Sequence, residues 1–222
     1  LTVKKFDGES GSSGWDTSGF TLSTSKSYSP THSFFSGSGN SLDNYLTTSD
    51  FISIQPNDTL TFWCYYKIEP GYDYLYVDVS LDGETFQSIP GNITTNDNPN
   101  GLNFGNGITG SSAGWIKGIF DLSQFGGKDI LLRFHYRTDP DVVDSGFWVD
   151  DIYPVAQFQK STLLADTISQ KSYPVKKRCS GVYYYKAKAK DAQGQESPWS
   201  SRIRVAVSLN FVRGDANADG KV

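Results

Sequence analysis

Apolar and polar residues alternate with a period of two in several short stretches of the chain, and this pattern predicts β-strands. The clearest stretches are DTLTFWCYYKIEP, DYLYVDVSL and DILLRFHYRTD, in which every second side chain is large and apolar. In the second we expect Leu75, Val77, Val79 and Leu81 to face a core, with Tyr74, Tyr76, Asp78 and Ser80 outside. In the third, Ile130, Leu132, Phe134 and Tyr136 should face inward, and Arg133, His135 and Arg137 outward. No stretch has sustained helical periodicity, so the predicted fold class is all-β.

The stretch DSGFWVDDI predicts a further strand that carries two adjacent carboxylates. Strict alternation places Phe147, Val149 and Asp151 on one face, and Trp148, Asp150 and Ile152 on the other. Carboxylates in so apolar a strand are unfavourable unless something pairs with them, and a metal ion is one candidate. The alternative is that Asp150 and Asp151 cap turns or pair with Arg133 or Arg137.

Turn signals separate the predicted strands. Asp82-Gly83 predicts a hairpin turn, because both residue types tolerate a positive φ. The stretch GNITTNDNPNGLNFGNGITGSSAG predicts a long loop with few apolar anchors, and loops of this length are often functional or mobile. Beyond residue 157 the character changes, and GVYYYKAKAKDAQGQESPWSSRIRVAVSL predicts two strands around a polar turn from Asp191 to Ser197.

Composition narrows the class of protein. At 222 residues the chain can form one large sandwich and a smaller piece, and 14% aromatic residues suit many short strands. The formal net charge of −4 argues against nucleic acid as the main partner. No apolar run approaches the roughly 18 residues that span a membrane. The chain has no Met, so we expect a processed form or a fragment, and sequons at Asn57 and Asn92 are compatible with export.

The two cysteines allow two interpretations. Cys64 lies in the predicted strand FWCYY, and Cys179 lies in the basic segment KKRCSG. They either bridge the two parts of the chain or remain reduced, with Cys64 as a buried free thiol. The second interpretation is favoured.

No catalytic constellation is present in the sequence. His32 and His135 are far apart and outside any zinc motif, and Ser145 is not in a nucleophile elbow. Turn and strand carboxylates are expected to be solvated; they include Glu69, Asp73, Asp78 and Glu84. The sequence therefore predicts a protein that is not an enzyme.

Two blocks, IEPGYDYLYVDVSLDGETF and the region from GWIKGIF to DSGFWVDDI, resemble MAM-like jelly-roll domains appended to secreted peptidases of the immune inhibitor A type. The resemblance covers most of residues 1–157 and implies a two-sheet jelly roll whose first and last strands lie side by side. Related carbohydrate-binding jelly rolls tie these strands together with calcium. The matching residues here are Asp7, Glu9 and Asp151, with Asp150 as a substitute.

The rest of the chain resembles two other modules. Residues 158–210 are similar to the last strands of a fibronectin type III domain, but such a sandwich needs roughly 100 residues. We therefore expect a partial antiparallel module whose exposed edge packs against the first domain or pairs with a neighbouring chain. Residues 211–222 resemble the start of a type I dockerin, in which Asp215, Asn217 and Asp219 would be calcium ligands.

The predicted function is a non-catalytic, secreted or cell-surface module that binds a glycan or a surface protein, with Ca²⁺ as cofactor. It would position a larger, peptidase-associated protein. Trp15, Trp63, Trp115 and Trp148 either stack on sugar rings or belong to the core. The alternatives are a structural surface or filament subunit assembled through sheet edges, and a folding partner of a peptidase.

Overall fold

The structure is a computed structural model that describes residues 2–157, 162–170, 172–176, 178–197, 200 and 203–207. Its contacts divide the chain into two compact units, Leu1–Gln159 and Lys160–Val222. In the first unit the strands are β1 (Thr2–Phe6), β2 (Trp15–Ser18), β3 (Thr21–Ser23), β4 (Ser33–Phe35), β5 (Asp43–Thr48), β6 (Ile52–Ser53), β7 (Thr59–Ile68), β8 (Tyr74–Ser80), β9 (Gln87–Ser88), β10 (Gly110–Ser111), β11 (Ile116–Asp121), β12 (Asp129–Arg137) and β13 (Gly146–Gln157). In the second unit they are β14 (Gly181–Tyr185) and β15 (Ile203–Val207). The described residues include one short 3-10 turn at Ser123–Phe125, so the predicted all-β class is confirmed.

The first unit is built from two sheets. The first sheet has the strand order β10-β7-β13-β4-β3, with β1 also paired to β13 and β11 to β7. The second sheet has the order β2-β5-β12-β8-β9, with β6 also paired to β12. The first and last strands of the unit, β1 and β13, are antiparallel neighbours, as predicted.

The core lies between the two sheets and follows the predicted alternation. Every second side chain of β12 is at most 1% exposed, and the inward side chains of β7 are similarly buried. Phe62 and Phe134 meet edge to face with ring centroids 5.0 Å apart, so the aromatic side chains of the two sheets interlock at the centre. The inward residues of β12 are Ile130, Leu132, Phe134 and Tyr136.

The outward face of β8 is covered, contrary to the sequence prediction. Every residue of β8 is buried, including Tyr76 at 3% and Asp78 at 4% exposure. The loop after β9 folds over this face, and the Tyr76 hydroxyl donates to the Leu102 carbonyl at 3.2 Å. Ile108, fully buried, anchors the same loop through backbone bonds with Leu75. The prediction that Leu81 faces the core was also wrong, because Leu81 is 52% exposed in the turn.

A bulge in β13 changes which residues share a face. Asp151 has a φ of +51°, and the pairing of β13 with β7 shifts register between Asp150 and Tyr153. The extra residue brings Ile152, fully buried, to the core side with Phe147 and Val149. The strict alternation predicted for Asp151 and Ile152 was therefore wrong.

The second unit contains an antiparallel pair of strands. β14 and β15 pair from Gly181↔Val207 to Tyr185↔Ile203. The predicted polar turn is present between them, where the Asp191 side chain accepts the backbone N–H groups of Gln193 and Gln195. Pro198 and Trp199 of the fibronectin-like element lie outside the described residues, as does the dockerin-like tail 211–222.

Both cysteines are reduced. Cys64 is buried in β7 and Cys179 is exposed. Burial raises the pKa of the Cys64 thiol far above its ordinary value, which makes it unreactive. The interpretation of Cys64 as a buried free thiol is confirmed.

Across the described residues, we find no helix with the length and apolar character needed to cross a membrane.

Candidate metal and ligand sites

Two of the predicted calcium ligands, Glu9 and Asp150, accept hydrogen bonds from the second half of the connection between β3 and β4, residues 24–32. Glu9 Oε1 accepts the backbone N–H groups of Thr31 at 2.9 Å and His32 at 2.8 Å. Asp150 Oδ2 accepts the backbone N–H groups of Tyr28 at 2.8 Å and Ser29 at 2.9 Å. We call this pair of carboxylates the loop clamp. For Asp150, these backbone contacts agree with the turn-capping interpretation that the sequence left open.

The two carboxylates of the loop clamp lie in different electrostatic environments. The hydrogen bond from the His32 backbone, aided by those from Thr31, lowers the pKa of Glu9 to about 2. Asp150 is 2% exposed, and burial raises its pKa above the ordinary value although Ser29 and Tyr28 donate to it. Both groups already have protein donors, which satisfy most of their acceptor capacity.

The other two predicted ligands also have protein partners. Asp7 Oδ1 accepts the Glu9 backbone N–H at 3.2 Å. Asp151 Oδ1 lies 2.8 Å from the Lys5 ammonium, whose pKa this hydrogen bond raises. Neither Arg133 nor Arg137 pairs with Asp150 or Asp151 among the described contacts. These four acids do not form a group of three with all ligand atoms within 4.8 Å, so the structure offers no preformed calcium cage here. Their metal assignment stays a prediction, and Asp215, Asn217 and Asp219 lie outside the described residues.

A different group of acids does converge, at one end of the sandwich. Ligand oxygens of Glu69, Asp73 and Asp139 lie within 4.8 Å of one another, and we call these three residues the acidic cluster. Glu69 and Asp73 flank the tight turn between β7 and β8, in which the Asp73 backbone N–H donates to the Glu69 carbonyl at 3.2 Å. Antiparallel pairing of Arg137 with Tyr74 brings the segment after β12 beside that turn.

The sequence predicted four solvated carboxylates, and this prediction was wrong for two of them. The four are Glu69, Asp73, Asp78 and Glu84. Asp73 is 1% exposed and Asp78 is 4% exposed, whereas Glu84 is exposed. Burial raises the pKa of Asp73 to about 6. The hydrogen bond from the Asp139 backbone lowers this pKa, but repulsion from the Asp139 and Glu69 carboxylates adds to the increase. Burial likewise raises the pKa of Glu69, and neighbouring acids add to the shift. The sequence did contain a signal for this cluster, the segment EPGYD between two long predicted strands. A tight turn there places its two acids, Glu69 and Asp73, at the same end of the sandwich.

The outer surface of β5, β12 and β8 combines charged groups with aromatic rings. Arg133 donates to Asp78 Oδ2 at 2.8 Å and lies 3.7 Å from the centroid of Phe86. Arg137 lies 4.5 Å from the centroid of Phe104, which is 66% exposed. We define the arginine–aromatic face by the residues Asp43, Tyr45, Arg133, His135, Arg137 and Phe104.

His135 is the fixed centre of the arginine–aromatic face. Its ring lies between two carboxylates, with Nε2 at 2.7 Å from Asp43 Oδ1 and Nδ1 at 3.5 Å from Asp78 Oδ2. It also stacks on Tyr45 with ring centroids 4.5 Å apart. Burial works to raise the pKa of Asp43, but hydrogen bonds from His135 and Tyr45 outweigh it and lower that pKa. The sequence placed Arg133, His135 and Arg137 on the outer face correctly but gave no sign of their partners.

The tryptophans divide between core and surface. Trp15 is buried in the core at 5% exposure, and Trp148 is 6% exposed with its indole N–H donating to Ser25. Trp63 stacks on Tyr28 with centroids 3.9 Å apart, and Trp115 meets Tyr28 edge to face. Tyr28, which lies in the connection between β3 and β4, therefore packs on both Trp63 and Trp115.

Residues 9–170 match the family described as immune inhibitor A-like, MAM domain, which is most of the chain. The chain belongs to this family. The matched residues include both sheets except β1, together with the loop clamp, the acidic cluster and the arginine–aromatic face. Accessory domains of this kind fit a non-catalytic binding module.

Part of the chain is also similar to the pre-pro-metalloprotease PrtV of Vibrio cholerae serotype O1, in two strains. The identity is 37% over 120 residues, which are 54% of this chain and 12% of PrtV. The match thus spans about an eighth of the length of that relative.

Two solved structures illustrate the fold similarity. The K3 cleaved adhesin domain of Lys-gingipain from Porphyromonas gingivalis is 16% identical with a TM-score of 0.44, covering 68% of this chain and 97% of that domain. The CBM22-1 xylan-binding domain of Paenibacillus barcinonensis Xyn10C is 17% identical with a TM-score of 0.40, covering 68% and 92%. Likenesses of this degree say nothing about a ligand of the present chain.

Proposed function

We propose that this MAM domain is a non-catalytic extracellular module that binds carbohydrate on its arginine–aromatic face and positions a larger, peptidase-associated protein. The observation that carries the proposal is an exposed ring beside an exposed donor and an exposed acceptor. Phe104 is 66% exposed, and the side chains of Arg137 and Asp43 are 44% and 56% exposed. The similarity to PrtV supports the association with a peptidase and an extracellular location.

These three groups can make the two kinds of contact by which proteins bind sugars. The apolar C–H face of a sugar ring packs on an aromatic ring, and its hydroxyls need hydrogen-bond partners when they lose water. A guanidinium held against a ring keeps its N–H edge available for donation. Arg137 Nε and Asp43 Oδ1 are 3.7 Å apart, so a donor and an acceptor lie side by side for neighbouring hydroxyls.

The remaining residues make the face rigid before any ligand arrives. His135 is held by Asp43 and stacked on Tyr45, and Arg133 is held by Asp78. Binding to a surface already fixed in this way loses less conformational entropy than binding to mobile side chains. The charges also balance, because Arg137 pairs with Asp43 of the face and Arg133 pairs with the buried Asp78 beside it, and this balance favours neutral hydroxyls over a strongly charged partner.

A glycan array with the full chain tests the proposal, followed by titration of the strongest hit against variants. Phe104→Ala and Arg137→Ala should each weaken binding by about fivefold or more, since central contacts contribute over ~1 kcal/mol. The control is Ile119→Ala, which removes a 44% exposed apolar side chain from β11 of the other sheet. No retained glycan, or equal weakening by the control, would contradict the proposal.

A second candidate, assembly through sheet edges, is favoured by the second unit. The sheet of β14 and β15 has two strands, and Ile203 and Val205 are 67% and 38% exposed. Within the residues that the structure describes, β14 and β15 pair only with each other, and strand edges beside exposed apolar side chains are suited to strand addition from a neighbouring chain. Sedimentation velocity over a roughly hundredfold range of protein concentration tests this candidate. The assembled fraction should grow with concentration, and a monomer at every concentration would contradict assembly.

A further inference from the structure

The two units of the chain carry opposite formal charges. Leu1–Gln159 contains eight Lys and Arg residues against nineteen Asp and Glu residues, whereas Lys160–Val222 contains twelve against five. The formal charges of the units are therefore −11 and +7, which together give the net charge of −4. A basic part of this kind attracts polyanions. An anionic partner would be repelled by the sandwich and attracted by the second unit.

Three exposed lysines of the second unit form a row along the segment that follows β14. Lys186, Lys188 and Lys190 alternate with two alanines. The segment is paired with the returning chain, in which the Ser200 backbone N–H donates to the Ala187 carbonyl at 2.7 Å. Alternate side chains of an extended segment share a face and lie roughly 6.5 Å apart. We call these three residues the lysine row.

A carboxylate of the protein itself already lies on the lysine row. Lys188 Nζ forms an ion pair with Glu196 across the hairpin, and Lys190 is the backbone partner of Glu196 in a β-bridge. The hydrogen bond from Lys188 lowers the pKa of Glu196, and the charges of Lys188 and Lys190 add to this effect. The row therefore stabilises an ionised carboxylate at its surface. Glu196 occupies the position that a carboxylate of a ligand would take beside Lys188.

The composition of the hairpin narrows the class of polyanion. From Lys186 to Ser197 it contains no aromatic residue and no apolar residue larger than alanine. Proteins that hold single-stranded nucleic acid stack its bases on aromatic rings, and segments that lie on membranes insert large apolar side chains. The turn instead offers the exposed amide side chains of Gln193 and Gln195, which can donate to and accept from hydroxyl groups.

We propose that the lysine row binds an acidic polysaccharide, a linear polymer whose sugar rings carry carboxylate groups. The ammonium groups would pair with carboxylates along the polymer, and the amide groups of the turn would hydrogen-bond to its hydroxyls. Ion pairs at an exposed surface are individually weak, so binding requires several together and falls as salt rises. This site lies in the second unit and does not depend on the proposed glycan binding at the arginine–aromatic face.

Isothermal titration of the full chain with polygalacturonate, a polymer of uronic acid, tests the proposal. Dextran is the neutral comparison. The test variant Lys188→Gln/Lys190→Gln removes two charges from the lysine row. Its matched control, Lys117→Gln/Lys128→Gln, removes two exposed lysines from the sandwich.

A third variant, Glu196→Gln, removes the carboxylate that competes with the ligand. It breaks the same ion pair with Lys188 that the test variant breaks, but it leaves the lysines charged. A purely structural role of that pair predicts weaker binding in both variants. The proposal predicts opposite changes, with weaker binding in the test variant and tighter binding in Glu196→Gln.

The unsubstituted chain should bind polygalacturonate and not dextran, and raising NaCl from about 50 to about 300 mM should weaken binding by about tenfold or more. The test variant should bind about fivefold or more weakly, Glu196→Gln about twofold or more tightly, and the control within about twofold of the unsubstituted chain. Phe104→Ala should retain full binding, which separates this site from the arginine–aromatic face.

Three results would overturn the proposal: no binding of polygalacturonate, equal binding of dextran, or equal weakening by the test variant and its control. Weaker binding by Glu196→Gln would also overturn it. So would tighter binding of oligothymidine or of phosphatidylserine vesicles than of polygalacturonate, which would assign the lysine row to nucleic acid or to a membrane surface.

Discussion

The two units use the same local turn chemistry but differ in burial. In the sandwich, Asp82 Oδ1 accepts the backbone N–H groups of Glu84 and Thr85, and Gly83 has a φ of +84°. In the second unit, Asp191 Oδ1 accepts those of Gln193 and Gln195, and Gly194 has a φ of +85°. Both aspartates form turns in which a side chain replaces a backbone acceptor.

The two units differ in how far their side chains are buried. The sandwich has a continuous core of buried side chains from both sheets, whereas between residues 162 and 207 none of the side chains whose exposure the structure describes is buried. Turn chemistry can therefore close a hairpin, but it cannot by itself stabilise a unit, because an isolated pair of strands is marginal in water. The stability of this chain should come almost entirely from the sandwich.

The largest expected effect is on the second unit in isolation. A fragment of residues 158–210 should show no cooperative unfolding, because its described side chains contribute no buried core. A fragment of residues 1–157 should unfold cooperatively at nearly the midpoint of the full chain. Urea titration followed by circular dichroism measures both. A sharp transition in the fragment 158–210, at concentrations where it is monomeric, would show that the second unit is stable by itself and would contradict this prediction.

A pair of single substitutions sharpens the same contrast in the full chain. Phe134→Ala should lower the free energy of unfolding by about 3–5 kcal/mol, because it leaves a cavity where a fully buried ring packs on Trp15 and Phe62. Ile203→Ala removes a 67% exposed side chain in β15 and should change it by less than about 0.5 kcal/mol. Urea unfolding monitored by fluorescence gives both values, and comparable losses would mean that β15 contributes to the stabilised structure.

Much of the sandwich could be predicted from alternation, because a strand with one buried face repeats every two residues. The inward residues of β12 and the turn at Asp82-Gly83 were expected from the residues themselves and are present. The pairing of the first and last strands was implied by the family resemblance and is also present. The alternation of apolar and polar residues failed to predict which side chains are buried where the backbone departs from a regular strand. The bulge at Asp151 requires a positive φ at a residue that is not glycine, and no local signal marked it.

The candidate sites were harder to predict, because they depend on contacts between distant segments. Asp73 and Asp78 looked like solvated carboxylates, but residues 92–107 fold over β8, and the segment after β12 covers Asp73. Glu9 and Asp150 were selected correctly as acids with partners, but the partners are backbone N–H groups of one connection. A one-dimensional pattern cannot show which loop returns to which face.

The smallest expected effect concerns acid sensitivity of the two similar turns. Hydrogen bonds from the Thr85 and Glu84 backbones and from Ser80 lower the pKa of Asp82 to about 2 from an ordinary value of 3.8. A lowered folded-state pKa means that ionised Asp82 stabilises the fold above about pH 4, and that this contribution disappears as the pH falls toward 2. Asp82→Ala should therefore destabilise the sandwich at pH 5, by an amount that shrinks as the pH falls to 2.

The matched control for this titration is Asp191→Ala, which removes the equivalent acceptor from the second unit. It should leave the sandwich transition unchanged at every pH, because the Asp191 carboxylate accepts the backbone N–H groups of Gln193 and Gln195 within the second unit. Urea unfolding at pH 5, 4, 3 and 2 provides the measurement for both variants. A loss from Asp82→Ala that stays constant across this range would show that the carboxylate charge is irrelevant to the turn. The same loss from Asp191→Ala would show that the two hairpins unfold as one structure, and the contrast in burial would then not decide stability.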